Sequence, residues 1–152
     1  MTPAATDPVL ATVTGTVGST PQKPGSSALF GRDGLIAGTV GGGVVEGKVQ
    51  EFAKICGLTK ESGFLHYQLD KDVSEHDEAI CGGRISILVD ADPVKHIPVF
   101  DEIRRSLAER EPGVLITKVS GHKESAVSIA RYWMTGIIKP VLPAHYLGKI
   151  EP

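Results

Sequence analysis

The chain has 152 residues, which is enough for one ordinary domain and short for two. Hydrophobic residues make up 41% and charged residues 22%, so the chain can bury a core and a disordered protein is excluded. A formal net charge of −2 argues against a nucleic-acid-binding protein, which usually carries a clearly basic face. No apolar run reaches the roughly 18 residues that span a bilayer, and no signal peptide is recognisable. With two cysteines and no CxxC pair, we expect free thiols in a cytoplasmic protein.

The pattern of apolar, glycine and proline residues predicts an α+β order, β-β-β-α-β-β-α-β-β. β-branched runs and turn residues predict strands at Val9–Thr16, Ser27–Phe30, Leu35–Val40, Phe64–Leu69, Arg84–Val89 and Val114–Val119, with weaker candidates at Ala126–Met134 and Gly136–Val141. Adjacent strands are too frequent for an all-parallel sheet. We therefore expect a mixed, mostly antiparallel sheet with two main covering helices, and an α/β layered sandwich is the alternative.

Two amphipathic helices are predicted. Val44–Cys56 places Val45, Val49 and Phe52 on one face, and Gly57 is expected to end the helix. The second helix, residues 97–110, carries an apolar face made of Ile97, Phe100, Ile103 and Leu107. Between the helices, the charged segment Asp70–Ala79 is expected to form a loop.

The segment Ile36–Glu46 is the most distinctive stretch, because a strand leads through Gly41, Gly42 and Gly43 into a helix. Glycines allow a ligand close to the backbone, and the first helical N–H groups are unpaired, which suits an oxyanion. A tight turn without a ligand explains the glycines equally well. Glu46 is either a carboxylate that stabilises the helix start or a general base or hydrogen-bond acceptor for a heterocycle.

Two further segments could carry chemistry. The loop Gly18–Gly25 contains Ser19, Thr20 and Lys23, which could bind an anion or simply belong to a proline-stiffened surface loop.

Cys81 is flanked by Gly82 and Gly83, and Arg84 could stabilise its thiolate, so it is either reactive, a soft-metal ligand, or an inert buried residue. Cys56 lies on the apolar helix face and is expected in the core. A zinc site of His66, His76 and the two cysteines is disfavoured by irregular spacing.

Three segments in this order resemble the N-terminal domain of the XdhC/CoxI family of xanthine dehydrogenase accessory factors. They are Gly18–Gly25, Gly38–Glu46 and Cys81–Gly83. The resemblance is strong over roughly residues 8–90. It implies a single domain of this type over residues 1–152, without the C-terminal Rossmann domain usual in the family.

The resemblance also implies a molybdenum-cofactor chaperone that acts with a cysteine desulfurase and a molybdenum hydroxylase such as xanthine dehydrogenase. The molybdopterin would be bound transiently by Ser19, Thr20, Lys23, Gly41, Gly42, Gly43, Glu46, Cys81, Gly82 and Gly83. Cys81 and Glu46 would carry any catalytic role, and Cys81 would face molybdenum or sulfur. The alternatives are a sulfurtransferase or oxidoreductase-associated enzyme using Cys81, and a scaffold that forms a homodimer through a sheet edge.

Overall fold

A computed structural model describes residues 7–69, 82–121 and 126–136. Its strands are β1 (Val9–Val17), β2 (Ser27–Gly31), β3 (Gly34–Gly38), β4 (Gly63–Gln68), β5 (Arg84–Asp90), β6 (Gly113–Ser120) and β7 (Ser128–Thr135). The helices are α1 (Gly43–Thr59) and α2 (Ile97–Ala108), and a 3₁₀ turn, Pro93–His96, precedes α2. The predicted order of elements and the α+β class are confirmed.

The larger sheet has the strand order β3-β2-β1-β5-β4, and each of its four pairings is antiparallel. Strands β6 and β7 form a separate two-stranded sheet. The antiparallel pairings exclude the α/β layered sandwich, which requires parallel strands joined by helical crossovers.

The described residues divide into two compact units, one made of 7–69, 82–95, 119–121 and 126–129, and the other of 96–118 and 130–136. The first unit contains the five-stranded sheet and α1, which packs against β1, β2 and β5. The second contains α2, whose Ser106 Oγ accepts a 2.8 Å hydrogen bond from Trp133 Nε1 on β7. All the candidate site residues that the structure describes belong to the first unit.

Helix α1 buries the predicted face. Val49 and Ala53 are at most 1% exposed, Val45 and Cys56 are also buried, and Phe52 packs against the same core. Cys56 is therefore confirmed as a core residue.

The prediction that Gly57 ends α1 is wrong. The helix continues to Thr59 and ends at Lys60, which adopts φ 62° and donates its backbone N–H to the Cys56 carbonyl. Gly57 is instead buried inside the helix, where an added Cβ would lie 3.3 Å from Val9 Cγ2. A glycine here lets the helix approach β1 closely, so its role is packing rather than termination.

The second helix also departs from its predicted limits. It ends at Ala108 rather than at residue 110, because Arg110 takes a positive φ of 57°. Ile97 and Leu107, predicted on its apolar face, are 50% and 68% exposed. The buried contact comes instead from Ser106, and Phe100 lies 5.7 Å below the Arg131 guanidinium. The predicted strand Gly136–Val141 lies outside the described residues from 137 onward, as does the segment Asp70–Ala79.

Candidate functional site

The loop Gly18–Gly25 connects β1 to β2 and is fixed to β1 at its far end. Gly25 N donates to the Val13 carbonyl at 2.8 Å, and Val13 N donates to the Ser26 carbonyl at 2.9 Å. Within the loop, the Thr20 hydroxyl donates to the Gln22 carbonyl at 2.9 Å. The end of the loop is thus attached to β1 by main-chain hydrogen bonds, and one side-chain hydrogen bond links residues within it.

Gly83 lies directly against the beginning of this loop. A Cβ built on Gly83 would overlap the Ser19 carbonyl oxygen and approach Thr20 Cγ2 and the Val17 carbonyl oxygen to 2.8 Å. Gly82 is different, because no atom lies within 4 Å of its Cβ position. Only glycine therefore allows the chain entering β5 to contact the loop at residue 83.

The glycine turn lies on another side of the same loop. A Cβ built on Gly41 would stand 3.0 Å from Pro21 Cγ. The three consecutive glycines Gly41, Gly42 and Gly43 adopt φ values of 143°, 68° and 54°, a region that other residues rarely enter. The described parts of the three sequence motifs are therefore brought together, because the loop Gly18–Gly25 contacts both Gly41 and Gly83.

Glu46 braces the glycine turn. Its Oε2 accepts hydrogen bonds from the Thr39 hydroxyl at 2.7 Å and from Val40 N at 3.2 Å. Thr39 Oγ1 in turn accepts a bond from Gly41 N at 3.1 Å. This geometry matches a carboxylate that stabilises the start of a helix. Oε1 accepts no hydrogen bond from a described residue and is the oxygen that a ligand N–H group could reach.

The loop and the turn also carry residues that are exposed to solvent. Ser19 and Lys23 are exposed, and so is Gly43 in the first turn of α1. No atom lies within 4 Å of the Cβ positions of Gly42 and Gly43, so a ligand can approach the backbone there without a side chain in the way. The first amide groups of a helix have no carbonyl partner inside it, which makes this approach favourable for an acceptor.

The structure describes only one of the two cysteines. Cys81 lies outside the described residues. Cys56 is buried, and burial raises the pKa of its thiol to about 11, with a smaller contribution from the charge of Glu61. The Cys56 sulfur therefore stays a neutral thiol near pH 7 and is a poor nucleophile.

A group of polar side chains on β4 and β5 was not predicted from the sequence. His66 Nδ1 lies 3.0 Å from Ser86 Oγ, across the β4–β5 pairing, where these two residues are direct partners. Arg84 lies two residues before Ser86, on the same face of β5. No local sequence pattern predicts this group, because the two residues are 20 positions apart and become neighbours only through the register of β4 with β5.

Residues 4–68 match the model of the XdhC and CoxI family. The resemblance to this family is confirmed over that stretch. The match contains the first two motifs, Gly18–Gly25 and Gly38–Glu46, whereas Cys81–Gly83 lies beyond it. No curated protein matches the chain in sequence.

A similar solved structure is that of a protein from Bacillus halodurans described as a xanthine dehydrogenase. It superposes with a TM-score of 0.71 at 23% sequence identity and matches 95% of this chain. This chain spans 44% of the length of that protein. At this identity the likeness shows a shared fold.

Membrane-spanning helices and clusters of metal ligands are both absent among the described residues. None of their helices is long and apolar enough to cross a membrane. Nor do three or more His, Cys, Asp or Glu side chains in this part of the chain form a group that could hold a metal ion. Cys81, the predicted metal ligand, lies outside the residues to which this second finding applies.

Proposed function

We propose that this chain is a maturation factor that binds the molybdenum cofactor, supports its sulfuration, and delivers it to a molybdenum hydroxylase of the xanthine dehydrogenase type. The family match and the similar fold of a protein described as a xanthine dehydrogenase support a role connected with that enzyme. The observation that carries the proposal is the convergence of the glycine turn and the Gly83 segment on the loop Gly18–Gly25.

The residues at this convergence suit a ligand with a pterin, a phosphate and an oxo-metal centre. The open backbone at Gly42 and Gly43 offers N–H groups to acceptor atoms of the ligand. Glu46 Oε1 can accept a pterin N–H group, while Oε2 holds the turn. Lys23, Ser19 and Thr20 add a positive charge and hydroxyl groups on the facing loop. When bound, the cofactor would supply the redox-active metal, and Cys81 would stand next to molybdenum or its sulfur ligand.

The cysteine desulfurase and a cytoplasmic location are parts of the same proposal, because sulfuration requires a donor of sulfane sulfur in the same compartment.

A second copy of this chain is the other partner that we propose, in a homodimer. Strand β3 lies at the sheet edge, and its Leu35 and Ile36 are 43% and 61% exposed. An antiparallel edge can pair with its own copy about a two-fold axis. Light scattering that gives only a monomer mass would rule this part out.

The two cysteines allow a direct test of the role of Cys81. Iodoacetamide at neutral pH is expected to label Cys81 well before Cys56, because the Cys56 thiol is buried and its pKa is raised to about 11. Peptide mass spectrometry reads both sites in one sample, so Cys56 is the internal control. Bound cofactor is expected to protect Cys81, and equal labelling of the two thiols would contradict a poised Cys81.

Delivery is tested by mixing the cofactor-loaded protein with a cofactor-free hydroxylase and measuring the activity that appears. We expect the wild type to activate the hydroxylase and Cys81→Ser to fold normally but activate poorly. A persulfide on Cys81 after incubation with a desulfurase, with repeated sulfur transfer, would instead favour the sulfurtransferase. Activation by Cys81→Ser equal to that by the wild type would remove Cys81 from the proposal.

A further inference from the structure

Three neighbouring strands form a cleft on the sheet face opposite α1. Ile85 and Ile87 of β5 point into the core beside α1, so the alternate residues Arg84 and Ser86 point to the other face. In the register of the sheet, Ser86 lies between Gly15 and His66, and Arg84 lies between Val17 and Gln68. These two rows, together with the row between them, line a cleft of about 620 Å³; the middle row consists of Thr16, Ile85 and Tyr67.

A hydrogen-bonded pair occupies the first row. His66 Nδ1 lies 3.0 Å from Ser86 Oγ. The imidazole stacks on Phe64, two residues earlier on the same face of β4, with 5.9 Å between ring centroids and 13° between planes. Stacking fixes the plane of the His66 ring. If Nδ1–H donates to Ser86 Oγ, the hydroxyl hydrogen of Ser86 is free to donate to a ligand.

The second row supplies the positive charge. Arg84 is exposed at the beginning of β5 and forms no ion pair with any residue in the part of the chain that the structure describes. No carboxylate is found among the described residues that line the cleft. Among the described residues, the Arg84 guanidinium therefore has no acidic partner and lies in the same cleft as a hydroxyl group. This combination suits phosphate, whose oxygens accept bidentate arginine bonds.

Gly15 leaves the room that a ligand needs. It follows an irregularity in β1 and faces Ser86, whose Cβ would be 4.0 Å from a Cβ added at Gly15. Gly15 does not have a positive φ, so its backbone does not require glycine. The absence of a side chain at this position therefore opens the cleft beside Ser86 and is not explained by strand geometry.

We propose that Arg84, Ser86 and His66 form a binding site for a phosphate monoester group. Arg84 would donate hydrogen bonds to two phosphate oxygens, and the Ser86 hydroxyl would donate to a third. His66 would position the Ser86 hydroxyl. The cleft adjoins the candidate cofactor site, because Val17 leads into the loop at Gly18 and its carbonyl faces Gly83. The identification of this group with the phosphate of the pterin cofactor rests on the proposed function, whereas the phosphate chemistry does not.

The test is a titration of the ¹⁵N-labelled protein with inorganic phosphate, followed by the amide signals of Gly15, Arg84 and Ser86. We expect saturable shifts at these amides, and about tenfold or greater weakening in Arg84→Gln, because bonds to a charged group are strong. Gly15→Val is expected to block binding by filling the cleft without changing any charge. Arg32→Gln removes an exposed arginine from the β2–β3 turn and should bind phosphate as the wild type does.

Each outcome decides the matter. Acetate binding as tight as phosphate binding, or unchanged phosphate binding in both Arg84→Gln and Gly15→Val, would overturn the phosphate site. Phosphate binding that depends on Arg84 in a protein that never retains a pterin would support the site and contradict the proposed function. Pterin retention that is unaffected by Arg84→Gln would contradict the assignment of this site to the cofactor and leave the proposed function intact.

Discussion

Phe52→Ala is expected to lower the free energy of unfolding by roughly 2–3 kcal/mol, because the ring is partly buried and removing a fully buried phenylalanine ring costs about 3–5 kcal/mol. The ring packs against the core between α1 and β4, with its Cζ 3.3 Å from the Cβ position of Gly63. Phe52 is partly buried and Gly63 has no side chain, so the apolar surface that the ring covers would be exposed to water. Urea unfolding followed by circular dichroism measures the loss.

Ile55→Ala is the matched control for this substitution. Ile55 lies three residues further along α1 but is 56% exposed, so its truncation is expected to cost about 1 kcal/mol or less. Equal losses for the two variants would show that the buried face of α1 has been wrongly assigned.

Gly83→Ala is expected to lower the free energy of unfolding by about 1–3 kcal/mol, as overpacking does, and to abolish cofactor retention. The added methyl group would overlap the Ser19 carbonyl and press on the Val17 carbonyl, both of which belong to main chain that cannot rotate away. The loop would have to separate from the start of β5, and the convergence of the three segments would be lost.

Gly82→Ala provides the comparison for stability. The neighbouring position has open space around its Cβ, so its unfolding midpoint should match that of the wild type. If Gly83→Ala were as stable as Gly82→Ala, the contact between the loop and Gly83 would be refuted.

The fold could be predicted from the sequence largely because its signals are local. The alternation in Val9–Thr16 and the spacing of Val45, Val49 and Phe52 reflect burial on one face, and both elements form as predicted. Gly57 shows the limit of such signals, since a glycine that ends a helix and one that packs a helix against a strand look alike in sequence. Ile97 and Leu107 likewise have helical periodicity, but periodicity does not say whether another element covers that face.

The candidate site could be predicted only in its glycine-rich parts. The turn at residues 41–43 was predictable because its positive φ angles favour glycine, so the conformation shows in the sequence as Gly41, Gly42 and Gly43. The hydrogen bonds that Glu46 accepts from Thr39 and Val40 could not be predicted, because they depend on the geometry of the turn. The pairing of His66 with Ser86 depends on the register of β4 with β5, which is set by the buried faces of two separate strands together and cannot be derived from either strand alone.

Native mass spectrometry of the protein co-produced with the cofactor-synthesis enzymes tests the central proposal most directly. We predict one molybdopterin for each site in the wild type, released on denaturation, and none in Gly83→Ala. A wild-type protein that carries no pterin when those enzymes are active would contradict the account.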